Sequence, residues 1–291
     1  MNRTRSNKVF SWASQLGPRF LPFADAASED LPLSRLLRLS LFQISVGMAM
    51  VMLVGTLNRV MIVEMGVPTS LVSFMVALPL LIAPFRALIG FQSDHHRSHL
   101  GWRRVPYIWM GTLMQFGGFS IMPFALLVLS GAGQSAQAPQ WVGQFGAAVA
   151  FILVGIGMHT TQTAGLALAT DLAPPESQPK VVGLMYVMQL VGMIGSALML
   201  GYLLHDYSPG QLIRVVQAVA VTTLVLNVVA LWKQEPRNPA RVAALKTEIR
   251  RPFREVWAEF IAIPQARRFL WATALGTMAF NMQDIILEPY G

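Results

Sequence analysis

A short polar face inside an apolar stretch is the first feature of this sequence that could do chemistry. His159 is the only histidine deep within such a stretch, and Gln162 and Thr163 follow it three and four residues later. This spacing places the three side chains on one face of a helix. A neutral imidazole can ligate a metal, but polar residues between apolar helices commonly form interhelical hydrogen bonds instead. The residues alone leave both interpretations open.

Ionisable residues within apolar stretches are a second candidate. Arg86 follows Pro79 and Pro84, which are expected to bend their helix, and it is close enough to the helix end to extend its guanidinium toward water. Asp284 and Glu288 lie one turn apart near the end of the sequence. Charges at membrane depth serve either in proton relays or in structural ion pairs. Both roles are compatible with these three residues.

Signatures of the common catalytic sites are missing from the sequence. It has no cysteine, which excludes disulfides and thiolate metal sites, and it has no Gly-rich phosphate loop or nucleophile motif. His95, His96 and His99 could bind a metal weakly, but a solvated basic loop explains them equally simply. We therefore expect a protein that is not an enzyme and that has no metal site built from protein ligands alone.

The elements that must position these residues are hydrophobic helices. Hydrophobic residues make up 54% of the 291 residues and charged residues only 12%, whereas soluble domains carry about 25% charged residues. A bilayer crossing takes about 20 mostly apolar residues. The sequence therefore predicts an all-α integral membrane protein with crossings at 39–63, 70–91, 105–130, 143–169, 181–204, 212–232 and 269–287.

Basic residues predict the orientation and the domain organisation. Most of the 22 Lys and Arg residues fall in the tail 1–38, in the loops after the second and fourth crossings, and in the segment 233–268. The positive-inside rule predicts that these segments and the N-terminus lie on the cytoplasmic side of the membrane. The predicted units are a cytoplasmic tail, a six-helix unit at 39–232, a basic linker at 233–268 and a seventh helix at 269–291. Aromatic residues at the predicted membrane edges fit this division: Trp102, Tyr107, Trp109, Trp141 and Trp232.

The loop after the second crossing contains a recognisable pattern. Gly90 and Asp94 are followed by Gly101, Arg103 and Arg104, which resembles the cytoplasmic signature loop of the major facilitator superfamily. In physical terms, Gly90 permits close helix approach, Asp94 can satisfy a helix terminus or an arginine, and the arginines hold the cytoplasmic face. The spacing departs from the usual one because residues 95–100 lengthen the loop. The alternative is a basic turn that obeys only the charge rule.

Longer strings narrow the resemblance. From about residue 30 onward the chain resembles the PucC/LhaA family, the bacteriochlorophyll-delivery branch of that superfamily. The strings that carry the resemblance are NRVMIVE at 58–64, APFRALIG at 83–90, GWRRVPYIW at 101–109, GLALATDLAP at 165–174 and DIILEPYG at 284–291.

The resemblance implies a function that composition does not. It implies a factor that assembles light-harvesting complexes in a photosynthetic membrane by handling or delivering bacteriochlorophyll. The expected partners are membrane lipid and antenna polypeptides or pigment-synthesis enzymes, with no nucleic acid. Since the family has twelve crossings, the chain is expected to be truncated after the seventh helix. The alternative is a secondary transporter that moves a small solute with an ion gradient.

The resemblance also suggests a ligand for His159. Bacteriochlorophyll contains a magnesium ion that accepts one axial ligand, and imidazole is a common donor. His159, with Gln162 and Thr163 beside it, is therefore the candidate pigment site. An interhelical hydrogen bond is the alternative for the same residues.

Overall fold

The fold consists of helices and their connections. The computed structural model describes residues 26–27, 31–96, 101–131, 137–235 and 252–290, with side chains as far as 279. We number the helices in chain order: α1 Leu33–Glu64, α2 Thr69–Asp94, α3 Val105–Ser130, α4 Gln140–Leu172, α5 Gln178–Leu203, α6 Pro209–Leu231, α7 Phe253–Ala262 and α8 Pro264–Tyr290.

Six of these helices, α1 to α6, are long and apolar enough to cross a membrane. The all-α membrane class is thereby confirmed. The first helix begins at Leu33, inside the predicted tail 1–38, because Leu36 and Leu39 are fully buried in the bundle. The predicted linker at 233–268 contains α7 and the start of α8. The seventh crossing falls on α8, which has the length but is not among the six apolar helices, so this crossing stays a prediction.

Two of the membrane helices are irregular. The far half of α1 winds as π-helix at Val51–Leu57 and Val60–Glu64, a form that leaves wider turns and often marks functional segments. In α2, Pro79 and Pro84 cannot donate backbone hydrogen bonds, and the helix tightens into a 3₁₀ turn at Ala83–Phe85. The bend expected from these prolines therefore has a defined place.

Glycines allow the helices to approach closely. A Cβ added to Gly111 of α3 would lie 2.8 Å from the carbonyl oxygen of Gly157 in α4. On the other side of the bundle, a Cβ on Gly192 of α5 would lie 2.7 Å from the Cα of Ile44 in α1. Close backbone contact of this kind replaces the hydrophobic effect as the driving force for helix association in lipid.

The packing pairs show a regularity. Helix α1 packs on α5 and α6, while α4 packs on α2 and α3, and α3 also packs on α6. If α1, α2 and α3 are exchanged with α4, α5 and α6, respectively, the same pairs of helices are in contact. The six helices therefore behave as two three-helix units with equivalent neighbours.

Two apolar clusters fill the bundle, one toward each membrane face. Val46 of α1 and Met158 of α4 belong to one cluster. Phe42 of α1 and Ala164 of α4 belong to the other. Buried polar side chains occupy the level between them. This polar layer comprises Gln43, Ser45, Thr112, Gln115, His159, Thr160, Thr161, Gln162, Thr223 and Asn227. It is the level at which the predicted pigment residues lie.

Candidate functional site

His159 is held between α4 and α2. Its side chain is buried, and its Nε2 lies 3.1 Å from the carbonyl oxygen of Pro79. That carbonyl is available because the N–H of Ala83 bonds to Leu80 in the 3₁₀ turn. A carbonyl oxygen only accepts, so Nε2 carries the proton and Nδ1 has a free lone pair. The histidine thus satisfies a backbone group that the bend in α2 leaves open.

The other two predicted residues, Thr163 and Gln162, contact α2 and α5, respectively. Thr163 accepts a hydrogen bond from Nε of Arg86, with 3.0 Å between the nitrogen and Oγ1. Gln162 donates from Nε2 to Oε1 of Gln189 on α5 at 2.9 Å. All three side chains therefore point at protein, as the sequence predicts for a polar face in lipid. They do not converge on a common point.

The fit of this site to a pigment magnesium can be judged from the imidazole. Nε2 of His159 is engaged by Pro79, and Nδ1 has no hydrogen-bond partner and is enclosed by protein. The free lone pair has the right chemistry for an axial ligand, but no magnesium can reach it without displacing neighbouring groups. The geometry is that of an interhelical hydrogen bond and does not fit axial ligation.

The polar layer contains further bonds that sequence reasoning missed. Gln115 of α3 donates to Ser45 of α1 at 3.3 Å, and Asn227 of α6 donates to Thr112 of α3 at 3.0 Å. Both nitrogen and oxygen of the Gln43 side chain are buried without a partner. A Gln or Asn isolated in an apolar span was the available signal, because such residues must find partners inside the bundle.

A second constellation joins helix ends at the face with the basic segments. Arg104 is only 5% exposed, and its guanidinium forms ion pairs with Asp94 and Asp171 and donates to Oγ of Ser93 at 2.7 Å. Arg103 also pairs with Asp171. Of the two roles that the sequence left open for Asp94, the structure shows the contact with an arginine. Asp171, at the end of α4, is the partner that the sequence did not reveal.

Glu235 completes this cluster from the end of α6. Its carboxylate accepts the backbone N–H groups of Arg103, Arg104 and Val105 at distances of 2.7 to 3.2 Å. These amides open α3, where the helix leaves donors unsatisfied and the helix dipole favours a negative charge. Glu235 is thus a helix cap supplied from more than a hundred residues away, for which the local sequence gives no signal. We call Ser93, Asp94, Arg103, Arg104, Asp171 and Glu235 the helix-end cluster.

The remaining predicted residues have mixed outcomes. Gly101 has a φ of +79°, which glycine tolerates without strain, and it starts the turn into α3. The close approach expected at Gly90 is wrong, because a Cβ there would meet Thr163 at an ordinary 3.7 Å. The tight contact of α2 with α4 lies instead at Gly155, against Pro79. The side chains of Asp284 and Glu288 lie outside the described residues, so their role as intramembrane charges stays a prediction.

A pocket opens at the opposite end of the bundle, between α1 and α5. It has a volume of about 460 Å³ and follows the π-helical part of α1. Burial, with a further contribution from nearby Glu64, raises the pKa of Tyr207, so its hydroxyl remains a hydrogen-bond donor. The polar lining consists of Thr56, Arg59, Glu64, His205 and Tyr207. Arg59 and Glu64 form no ion pair with each other.

Comparison with known proteins identifies the family. The family model described as PUCC protein matches residues 56–291. The chain belongs to the PUCC protein family. The resemblance read from the sequence strings is therefore confirmed at the level of the PucC family.

Individual relatives cover the whole chain. It is 63% identical to "Protein PucC" of Rhodovulum sulfidophilum over 100% of this chain and 64% of the relative. It is 60% identical to "Protein PucC" of Rhodobacter capsulatus over 94% of this chain and 59% of the relative. A more distant relative, "Bacteriochlorophyll synthase 44.5 kDa chain" of Rhodobacter capsulatus, is 29% identical over 88% of this chain and 56% of its own length.

The chain thus spans about three fifths of the length of the curated relatives it matches. No solved structure shows a significant match to it.

Proposed function

We propose that this chain takes part in assembling light-harvesting complexes by handling or delivering bacteriochlorophyll in the photosynthetic membrane. The observation that carries the proposal is membership of the PUCC family, with 60 to 63% identity to two proteins named PucC. The distant relative named for bacteriochlorophyll synthase supports a link to the pigment. The proposed partners are membrane lipid and antenna polypeptides or pigment-synthesis enzymes.

The proposed scaffold is that of the major facilitator superfamily. Its six-helix halves are built from two inverted three-helix repeats. The equivalent neighbours of α1 and α4 support this assignment, since α1 packs on α5 and α6 where α4 packs on α2 and α3. The helix-end cluster is the proposed physical counterpart of the signature loop. It links the ends of α2, α3, α4 and α6 at one face.

The proposed role is non-catalytic. Several polar side chains of the membrane interior are used in interhelical bonds, as in His159 to Pro79 and Gln162 to Gln189. No group of three or more His, Cys, Asp or Glu residues that could hold a metal occurs among the described residues. The chemistry available to these side chains is binding and positioning, which suits a protein that hands over a finished pigment.

The test is complementation in a phototrophic host that lacks the gene, with the full-length protein that contains this sequence. Two quantities are measured: total bacteriochlorophyll in solvent extracts, and the antenna absorption bands of intact membranes. We expect deletion to reduce the antenna bands while pigment synthesis continues. The purified full-length protein is expected to carry bacteriochlorophyll, detected by its absorption spectrum.

Other outcomes point to other functions. Loss of all bacteriochlorophyll with accumulation of a precursor would indicate an enzyme of pigment synthesis. A purified protein without pigment that moves a small solute in proteoliposomes under an imposed ion gradient would indicate a secondary transporter. Either result would overturn the proposed function.

A further inference from the structure

A groove lies between α3 and α6 at the same end of the bundle as the helix-end cluster. Its volume is about 220 Å³, below the range of about 300–1,000 Å³ that is usual for sites enclosing whole small molecules. It is therefore suited to part of a larger flexible molecule. Its lining includes three tryptophans, two valines and one lysine: Trp102, Trp109, Trp232, Val105, Val228 and Lys233.

Lys233 has an unusual backbone. Its φ is +54°, and it is the one non-glycine residue with positive φ among the described residues. A glycine would adopt this left-handed conformation without the steric cost of a Cβ. The lysine is exposed, so its side chain does not contribute to the core. The position therefore combines a strained backbone with a free-standing cation.

The neighbours of Lys233 explain why the backbone must turn there. Gln234 is fully buried, and it exchanges hydrogen bonds with Arg35 at the start of α1 in both directions. The next residue, Glu235, is bound to the amides that open α3. The helix α6 ends at its C-cap residue Trp232, and hydrogen bonds hold Gln234 and Glu235 immediately afterwards. The backbone therefore has to change direction at Lys233. Lys233 is thereby placed in the exposed lining of the groove.

The chemistry of the groove is asymmetric. Val105, Val228 and the indole rings provide an apolar surface along the helices, and Trp109 and Trp232 are 43% and 61% exposed. Tryptophans favour the interface between headgroups and hydrocarbon. The one carboxylate in the lining, that of Glu235, is neutralised in part by three backbone amides. The lysine thus supplies the uncompensated charge at the membrane surface.

We propose that this groove binds one anionic phospholipid, with an acyl chain between α3 and α6 and the phosphate at Lys233. The leaflet is the one on the side of the basic segments. A lipid fits better than a soluble anion because the groove is mainly apolar and open along its length. The proposal is independent of the pigment function, since it rests on Lys233 and the three tryptophans alone.

The experiment uses tryptophan quenching in the full-length protein that contains this sequence. The protein is reconstituted in phosphatidylcholine vesicles that contain either brominated phosphatidylglycerol or brominated phosphatidylcholine. Bromine on the acyl chains quenches indoles that it contacts. We expect preferential quenching by brominated phosphatidylglycerol, and the relative binding constant should fall about fivefold toward unity in Lys233→Gln, the change expected for one lysine near an anionic surface.

Three variants make the result specific. Lys233→Arg keeps the charge and should keep the preference, whereas Lys180→Gln removes a charge from the start of α5 and should leave it unchanged. Trp232→Phe should remove much of the lipid-specific quenching. The proposal is overturned if Lys233→Gln retains the wild-type preference, or if Lys180→Gln lowers it equally, because the effect would then be general surface charge.

Discussion

The two ends of the helix bundle use their charges in different ways. At one end, Arg104 is buried and bridges Asp94 and Asp171, and Glu235 caps α3. At the other end, Arg59 and Glu64 line an open pocket beside a π-helical segment and form no ion pair with each other. One end is cross-linked by side chains from several helices, while the other leaves space between α1 and α5.

This difference separates two tasks that charges perform in a membrane protein. Charges that satisfy helix ends and each other fix the relative positions of helices. Charges that remain in a pocket are available to a ligand or to a change in helix packing, for which π-helical turns are well suited. We therefore expect substitutions in the helix-end cluster to act mainly on stability, and substitutions of Arg59 or Glu64 to leave stability nearly unchanged.

The largest effect is expected at Arg104. Replacing it with methionine removes two ion pairs and the bond to Ser93, which leaves Asp94 without its arginine and Asp171 with Arg103 alone. These carboxylates are partly exposed and can recover some water, so we expect a loss of about 3 kcal/mol, at the lower end for a broken buried pair. Denaturant unfolding in detergent measures the loss. Arg104→Lys should lose less stability than Arg104→Met, because lysine keeps the positive charge. It should still be less stable than the wild type, because lysine lacks the planar fork of the guanidinium.

Glu235→Ala should have the next largest effect. It removes the acceptor for three amides at the start of α3, and we expect a loss of about 2 kcal/mol in the free energy of unfolding. Glu64→Ala is the matched control, because it removes the same side chain at the open end and should change stability by no more than about 0.5 kcal/mol. Equal losses of stability in the two variants would contradict the proposed difference between the two ends of the bundle.

Substitutions in the polar layer should lower the free energy of unfolding by less. His159→Phe keeps much of the side-chain volume and removes the bond to Pro79, so we expect a loss of about 1 kcal/mol. Thr163→Val, which removes the partner of Arg86, should cost a similar amount. Bound pigment per protein should be unchanged in both variants. A selective loss of pigment in His159→Phe would show that the imidazole is an axial ligand after all.

A small effect of the opposite sign is expected at Lys233. Lys233→Gly relieves the cost of a Cβ at φ +54° and should stabilise the protein by up to about 1 kcal/mol. Thermal unfolding in detergent without phospholipid measures this gain. A loss of stability would mean that the lysine side chain supports the fold, in which case it is not free for a lipid.

Local sequence was sufficient for the helices. A crossing depends on the sum of transfer free energies over about 20 consecutive residues, so its place can be read without knowing its neighbours. The third predicted crossing, 105–130, coincides with α3, and the bend in α2 follows from Pro79 and Pro84 because proline lacks a backbone donor. The pattern of Asp94 with the paired arginines was likewise readable within one loop.

The tertiary structure decided which groups meet. Glu235 caps α3 and Asp171 pairs with Arg104 only because α6 and α4 end beside the start of α3, and no local pattern encodes that neighbourhood. The same holds for His159. Its sequence context allowed a ligand or a hydrogen bond, and the bend that frees the carbonyl of Pro79 on a different helix directs the imidazole to the hydrogen bond. Apolar length is a property of one segment, whereas the partner of a polar group is a property of two.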